Sequence, residues 1–446
     1  MDFNHKATKI ELFNLKSIQM RTFHMTWFSF FLCFFGWFGI APLMVLVREE
    51  FALTQAQIGN TIIASVAITI FARLFIGWLC DRIGPRLSYT GLLIVGALPV
   101  MSIGFAHDYQ SFLIFRLAIG AIGAAFVITQ YHTSLMFAPN CLGTANATTA
   151  GWGNLGGGVT QIIMPLMLTA VLSLGVNQFW GWRIAMVIPG IALFLTGIAY
   201  YFLTQDSPEG NFADLRRQNK LPAAKQSKGS FLNACKDHRV WALFLIYGAC
   251  FGIELTINNI AALYFIDYFS MGLAMAGVLA GLFGLMNIFA RTLGGFFGDF
   301  FGIRWGLKGR VQWLFVTLFA EGIMLILFSR AALLPMAIVA LIGFSLFVQM
   351  SEGATFSVVP FINKKALGSV TGIVGAGGNF GAVMAGFLFK GAITWPTALL
   401  IMGIMVIGCS FLTFVIRFSK ETELEVHTDM HARLSKVAKA EELVKA

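Results

Sequence analysis

The chain has 446 residues, of which 57% are hydrophobic and only 12% are charged. This composition excludes a soluble globular protein, in which about a quarter of the residues are charged. Its net charge of +10 does not indicate a nucleic-acid partner, because no basic-aromatic module is present. The six cysteines form no CxxC or Cys/His cluster, so we expect neither a metal nor another cofactor.

Apolar runs of about 20 residues, the length of a membrane-spanning helix, recur along the whole chain. We therefore predict an all-α membrane protein with twelve transmembrane helices in two pseudo-symmetric six-helix halves. The predicted spans are 26–47, 58–80, 87–106, 112–137, 147–172, 182–204, 240–265, 273–297, 311–329, 331–359, 366–389 and 393–415. The predicted domains are an N-terminal segment 1–25, a first half 26–204, a linker 205–239, a second half 240–418 and a tail 419–446.

The distribution of positive charge predicts the orientation in the lipid bilayer. Most of the 31 Lys and Arg residues fall in the termini, the linker and the loops on one side, whereas Arg48, Arg183, Arg330 and Lys390 fall on the other. Loops rich in Lys and Arg stay in the cytoplasm. We therefore expect a multi-pass protein of the inner (cytoplasmic) membrane with both termini cytoplasmic, and no cleavable signal peptide.

One sixteen-residue pattern occurs twice, at 71–86 and at 289–304, and it places Arg73 and Arg291 inside apolar segments 218 residues apart. A charge near the centre of a spanning helix costs about 2.5–3.5 kcal/mol or more. The two copies lie in parallel spans, the second of each half, as in halves related by an axis along the membrane normal. A site on that axis would receive one arginine from each half, which favours a paired site for an anion.

Residues 77–86 read GxxxDRxGxR and resemble the signature loop of the major facilitator superfamily, between its second and third helices. A partial copy, GxxxDxxGxR, occupies 295–304, and RxxxGxxG at 116–123 is similar to another motif of that superfamily. In the superfamily, such charged loop residues form latches between helix ends that change partners during transport. The resemblance implies a gating role for Asp81, Arg82, Arg86, Asp299 and Arg304.

Two glycine-rich stretches narrow the family. AGWGNLGGG at 150–158 and GIVGAGGNFG at 372–381 look like the paired signatures of the nitrate/nitrite porter family within that superfamily, and 251–256 and 351–356 are similar to its high-affinity nitrate-uptake branch. Glycines along one helix face let two backbones approach closely and slide. We expect such contacts at Gly151, Gly153, Gly156, Gly157, Gly375, Gly377, Gly378 and Gly381.

The resemblance implies a transporter of nitrate, with nitrite as a second candidate substrate, and not an enzyme. Nitrate is planar, as is the guanidinium fork, and the resemblance places Arg73 and Arg291 at the substrate. It also matches Phe126, Tyr247 and Phe251 to ring positions of the family's site. The amides of Asn154 and Asn379 are either further anion donors or contacts between helices.

Import of an anion against an inside-negative potential costs about 2.3 kcal/mol per 100 mV, so accumulation needs a driving ion or an exchanged anion. Nitrate is too weak a base to carry a proton, so protein carboxylates must do so. The candidates are Glu254, Glu352 and Glu321, which otherwise fix helix packing. We expect a monomer that imports nitrate with protons by alternating access. A nitrate/nitrite antiporter is the alternative, and an anion channel or a nitrate-responsive receptor are distant ones.

Overall fold

A computed structural model of the protein describes residues 5–7, 9–137, 142–219, 234–363 and 367–424. Most of the linker, the tail beyond 424 and the side chains of Asp81 and Asp299 lie outside this description. Within it, twelve helices are long and apolar enough to cross a membrane, which confirms the predicted all-α fold. They are α1 Ile18–Glu50, α2 Gln55–Gly77, α3 Pro85–Phe105, α4 Tyr109–Met136, α5 Ala145–Ser173, α6 Gln178–Leu203, α7 His238–Phe269, α8 Leu273–Gly302, α9 Arg304–Ser329, α10 Leu334–Val358, α11 Gly372–Lys390 and α12 Trp395–Val415.

Short 3₁₀ turns interrupt three of the described spans away from their ends, and sequence periodicity does not predict them. They lie at Ala41–Leu43 in α1, Ala121–Ala124 in α4 and Met286–Ile288 in α8. In α8 the turn is followed by Phe289, whose φ of −136° and ψ of −30° depart from helical values. Such turns within a helix often mark functional positions. Here they directly precede two residues of the predicted site, Phe126 in α4 and Arg291 in α8.

The bundle has two ends, which we name the linker side and the far side. The linker side carries Asp206, where the chain leaves α6, and the far side carries Arg48 at the end of α1. On the linker side, Gly84 has a φ of 94°, and a Cβ at this position would collide with the carboxylate of Asp206. That carboxylate accepts hydrogen bonds from the backbone N–H groups of Arg86 and Phe212, both at 2.8 Å. Burial raises the pKa of Asp206, against the lowering effect of these hydrogen bonds.

Within each half, some of the signature glycines bring two helix backbones together, whereas no described atom lies within 4 Å of a Cβ built on Gly375, so the close contact expected there is not formed. A Cβ on Gly156 of α5 would collide with the carbonyl oxygen of Phe31 in α1. In the second half, a Cβ on Gly377 or Gly381 of α11 would likewise collide with the backbone of Phe244 or Gly248 in α7. A glycine contact needs no side chain to change rotamer when the helices slide, so these pairs suit a bundle that must move.

The two halves meet closely on the far side. A Cβ on Gly158 of α5 would lie 2.6 Å from the Cα of Gly284 in α8. Arg48 of α1 and Asp267 of α7 form a two-point ion pair across the halves, at 2.6 and 2.9 Å. The far side of the bundle is therefore closed in this conformation.

The contact between α5 and α1 yields a prediction for Gly156→Leu. We expect the variant to insert into the membrane but to lose transport, because a leucine against the Phe31 carbonyl forces the two helices apart. Turnover per inserted protein measures this. Gly91→Leu is the matched control, since no atom lies within 4 Å of a Cβ built there. Unchanged turnover in Gly156→Leu would contradict a close contact during the cycle.

Candidate anion-binding site

Arg73 of α2 lies at the centre of the bundle with 6% of its surface exposed. Its Nη1 donates to the carbonyl oxygen of Gly375 in α11 at 3.0 Å, and its Nε makes a long bond of 3.4 Å to the carbonyl of Gly123. Nη2 is buried without a hydrogen-bond partner. No ion pair of Arg73 is found among the described residues. This guanidinium therefore keeps both its charge and one donor group for a ligand.

Arg291 of α8 is also buried, with 4% of its surface exposed, but it is neutralised. Its Nη1 lies 2.6 Å from Oε2 of Glu352 in α10, and its Nη2 donates to the hydroxyl of Tyr247 in α7 at 3.0 Å. No acidic residue lies within one helical turn of Arg291 along α8, and its partner comes from another helix of the same half. The two arginines are thus equivalent in the repeat but unequal in their electrostatic surroundings.

Aromatic rings separate the two guanidinium groups. The ring of Phe251 lies 5.6 Å from Cζ of Arg73 and 6.0 Å from Cζ of Arg291, so one ring adjoins both charges. Tyr247 stacks on Phe251 with a centroid distance of 5.2 Å and an interplanar angle of 10°. Phe126 of α4 faces Arg73 at 5.2 Å. The three predicted rings therefore gather around both arginines, where cation–π attraction stabilises the buried charges.

The two signature asparagines occupy equivalent positions. Asn154 lies on the α5 face between Gly151 and Gly158, and these two glycines meet α8, the helix of Arg291, at Asn287 and Gly284. Asn379 lies one turn after Gly375 on the α11 face that meets α2, the helix of Arg73. Each asparagine thus belongs to one half and faces the arginine helix of the other.

Both amides are buried, at 1% and 0% exposure, and neither polar atom of Asn154 or Asn379 has a hydrogen-bond partner. A buried polar group without a partner costs about 1–3 kcal/mol. The two asparagines therefore hold unpaired amide groups in the interior of the bundle, on faces directed at the helices of Arg291 and Arg73.

The three predicted carboxylates form one buried cluster in the second half. Glu254 of α7 accepts a hydrogen bond from Nδ2 of Asn287 at 2.7 Å, and its carboxyl group lies within hydrogen-bonding reach of Glu352. Glu321 of α9 lies close to Glu254, and neither of its carboxyl oxygens has a hydrogen-bond partner among the described residues. All three are fully buried. Among the described residues, no group of three or more His, Cys, Asp or Glu side chains is placed to hold a metal ion.

The gating loops lie on the linker side, away from this site. Arg86 donates from Nε to the carbonyl of Tyr201 at 2.7 Å and lies over its ring, and the carbonyl of Arg82 accepts a hydrogen bond from Arg216. Arg304 is exposed, and Arg310 instead donates to the carbonyl of Ser357 at 3.2 Å. The second loop therefore does not repeat the packing of Arg86.

Sequence reasoning missed two contributors to the site. Asn287 orients Glu254, and Phe356 packs edge-on against Tyr247 at 5.0 Å. Helical spacing could have identified Phe356, because it lies four residues after Glu352 on the same face of α10. The same spacing does not apply to Asn287, because it lies in the 3₁₀ turn Met286–Ile288, which breaks the helical period before Arg291.

Comparison with known proteins identifies the family. Residues 26–360 match the sequence family described as Major Facilitator Superfamily. The high affinity nitrate transporter 2.5 of Arabidopsis thaliana is 40% identical over 421 residues, covering 94% of this chain and 84% of that protein. The nitrate/nitrite transporter NrtP of Nostoc punctiforme is 28% identical, covering 89% of this chain and 92% of that protein.

Solved structures support the fold. A bacterial homologue of the human lysosomal transporter Spinster, described as inward-facing and unoccupied, matches with a TM-score of 0.69 at 16% identity, covering 92% of this chain and 98% of that one. The xylose transporter XylE from E. coli, in a partially occluded inward-open conformation, matches with a TM-score of 0.68 at 14% identity over 90% and 100%. This chain therefore belongs to the nitrate/nitrite porter family of the major facilitator superfamily, and it is a multi-pass membrane transporter, not an enzyme.

Proposed function

We propose that this protein imports nitrate by proton-coupled alternating access, with the anion held at the midplane by Arg73 and Arg291. The observation that carries the proposal is the state of Arg73, a buried guanidinium with no ion pair in the described chain and an unpartnered Nη2. Nitrate is proposed as the substrate because relatives at 40% and 38% identity are named high-affinity nitrate transporters. Nitrite is a second candidate, since the NrtP relatives are named nitrate/nitrite transporters.

The surroundings of Arg73 suit a small flat anion. A planar guanidinium pairs with planar oxyanions through two parallel N–H···O bonds. The Phe126 and Phe251 rings, 5.2 and 5.6 Å from Cζ, limit the space around that fork. The amides of Asn154 and Asn379 would add hydrogen-bond donors from each half. Substrate release then needs the two halves to separate, because both halves contribute to the binding.

The pairing of Arg291 supports proton coupling. Glu352 neutralises Arg291 at 2.6 Å, and this pair would relieve the repulsion between two arginines when an empty transporter closes. An arriving nitrate would compete with this carboxylate for the same guanidinium. Once displaced, Glu352 is a buried carboxylate without its cation, and it would bind a proton because burial disfavours the charged form. Anion binding and proton binding are then linked at one residue.

A second proton would make transport respond to the membrane potential. One proton per nitrate moves no net charge, whereas two protons move one positive charge inward and use about 2.3 kcal/mol per 100 mV. Glu254 adjoins Glu352, and Glu321 lies close enough to sense Glu254. Either residue could hold the second proton. Glu254 is the better candidate, because Asn287 holds its carboxyl group beside Glu352.

The alternatives have different requirements. A nitrate/nitrite antiporter needs no proton, so the three glutamates would be packing residues. An anion channel needs an open path, and the closed far side with its Arg48–Asp267 ion pair argues against one. A nitrate-responsive receptor would use the same site without turnover. We further propose that the protein acts as a monomer in the inner membrane and that the linker side, with both termini, is cytoplasmic, as its Lys and Arg content favours.

The decisive experiment is uptake into proteoliposomes that contain no internal substrate, under an imposed inward proton gradient. Nitrate accumulation together with proton entry would support symport. Uptake that begins only after nitrite or nitrate is loaded inside would establish exchange instead. Flux that never exceeds the electrochemical equilibrium of nitrate, without counterflow of labelled nitrate, would indicate a channel. Absence of any nitrate flux or binding would overturn the proposed function.

We expect Arg73→Lys and Arg291→Lys each to weaken nitrate binding about 100-fold. Lysine keeps the charge but loses the bidentate fork, and hydrogen bonds to charged groups contribute about 1.5–3 kcal/mol each. Equilibrium binding to purified protein measures the effect. Arg48→Lys is the matched control, because Arg48 lies on the far side in an ion pair with Asp267, and its affinity should stay near that of the wild type. Near-normal affinity in either midplane variant would contradict the two-arginine site.

Glutamine variants separate the roles of the carboxylates. We expect Glu352→Gln to retain nitrate counterflow but to lose proton-driven accumulation, since glutamine resembles the protonated acid and cannot neutralise Arg291 on the empty return. Glu254→Gln should likewise reduce accumulation more than counterflow. Both fluxes are measured in the same proteoliposomes. An equal loss of both fluxes would assign these residues to folding, and full accumulation in Glu352→Gln would overturn its coupling role.

A further inference from the structure

Arg116 is another buried arginine, and the midplane site does not use it. It lies in α4 near the far side with 1% of its surface exposed. Its Nη2 donates to Oδ1 of Asn259 in α7 at 2.7 Å, and its Nη1 to the carbonyl of Trp37 in α1 at 3.2 Å. Its Nε is buried without a hydrogen-bond partner. Ten residues of α4 separate it from Phe126, which corresponds to about 15 Å along a helix.

The neighbouring arginines show what is unusual about Arg116. Arg48 pairs with Asp267, and Arg183, also near the far side, pairs with Glu50 at 2.5 Å. Arg116 is more deeply buried than Arg48, yet only neutral groups hold it, and no ion pair of Arg116 is found in the described chain. A buried charge without a counter-charge is costly. A neutral side chain could form a hydrogen bond between the halves equally well. Fastening the two halves together therefore does not by itself explain why this residue is a charged arginine.

The partner of Arg116 is in the other half of the protein. Asn259 belongs to α7, whereas Arg116 belongs to α4, so the bond between them exists only while the far side is closed. Opening the far side must move α7 away and free Nη2 of Arg116. That donor, together with the unpaired Nε, would then face the space between the halves. The charge of Arg116 is thus buried when the far side is closed and exposed to solvent when the far side is open.

The residues beside Asn259 are also suited to an anion. The side-chain amide of Asn258 is 2% exposed, and neither of its polar atoms has a hydrogen-bond partner. Gln161 of α5 donates to the backbone carbonyl of Asn258 at 2.7 Å, so this bond also spans the halves. Opening the far side would therefore uncover amide groups together with one positive charge. An anion that passes this point would meet hydrogen-bond donors, and none of these donors is bonded to a carboxylate among the described residues.

We propose that Arg116 is a second anion contact, which captures nitrate from the far side before it reaches Arg73 and Arg291. While the far side is closed, the side-chain oxygen of Asn259 accepts the hydrogen bond from Nη2 that the anion would otherwise accept. When the far side opens, the anion replaces Asn259, and closure returns the guanidinium to Asn259 and passes the anion inward. This inference rests on the proposed function, since it concerns the access route to that site.

Sided transport assays test the inference with Arg116→Gln and Asn259→Ala. Right-side-out vesicles present the far side to added nitrate, and inside-out vesicles present the linker side. We expect Arg116→Gln to raise the KM for nitrate about tenfold from the far side only, the loss that corresponds to one charged contact. Glutamine can still donate to Asn259, so the variant should fold. Arg116→Lys keeps the charge, and its far-side KM should rise less than that of Arg116→Gln.

Asn259→Ala distinguishes an anion contact from a latch. If Arg116 only fastens the two halves, both variants loosen the closed far side, favour the outward-open state and leave the far-side KM unchanged or lower. If Arg116 binds the anion, Asn259→Ala leaves the far-side KM unchanged or lower, whereas Arg116→Gln raises it. Equal changes in the two variants, or an unchanged far-side KM in Arg116→Gln, would overturn the proposal.

Ionic strength provides a second measurement. Adding a salt of impermeant ions should raise the far-side KM of the wild type by screening, and it should raise that of Arg116→Gln less. An equal salt effect in the two proteins would contradict the proposed contact. The failure of this inference remains distinct from failure of the proposed function. Wild-type protein that transports nitrate while Arg116→Gln behaves normally refutes only the second contact, whereas wild-type protein without nitrate flux refutes the function itself.

Discussion

The constraint on which the structure depends is positive charge buried at the centre of a membrane-spanning bundle. Arg73 and Arg291 both adjoin the ring of Phe251, and of the two only Arg291 has a carboxylate partner among the described residues. An unpaired guanidinium in such a place is tolerated because carbonyl oxygens and ring faces surround it. Under the proposed function, a bound anion relieves the remaining excess of charge.

The glycine-rich faces follow from the same constraint. A site that draws one arginine from each half can load and release an anion only if the halves separate and meet again. The α5–α8 contact at Gly158 and Gly284 joins backbone to backbone, and the α11–α7 contact at Gly381 and Gly248 does the same within the second half. Such contacts can be remade without repacking large side chains. Asn154 lies within the α5 face of the first contact, whereas Asn379 lies on the α11 face that meets α2, so movement of α5 and α11 also moves the candidate donors.

The sequence was sufficient to predict the twelve spans, because apolar runs and charged loops are properties of composition. It was also sufficient to find Arg73 and Arg291, since the duplicated pattern repeats at a fixed distance. It could not predict that Glu352 pairs with Arg291, because that contact joins α8 to α10 and depends on how helices cross. The 3₁₀ turns before Phe126 and Arg291 were equally hidden, as the residues that form them are compatible with a regular helix. The hydrogen bond from Arg116 to Asn259 could not be predicted either, because it depends on how the two halves are placed relative to each other.

The unequal surroundings of the two arginines bear on the difference between a symporter and an exchanger. Two arginines and one ionised glutamate carry the same total charge as two arginines, one nitrate and one protonated glutamate. A carrier with that composition meets a similar electrostatic cost when it closes empty and when it closes loaded with both ions. Without the glutamate, the empty carrier would have to close with one more unbalanced charge, and it would turn over only by exchange. The position of Glu352, within 2.6 Å of Arg291, is therefore the feature that most favours symport over exchange in this chain.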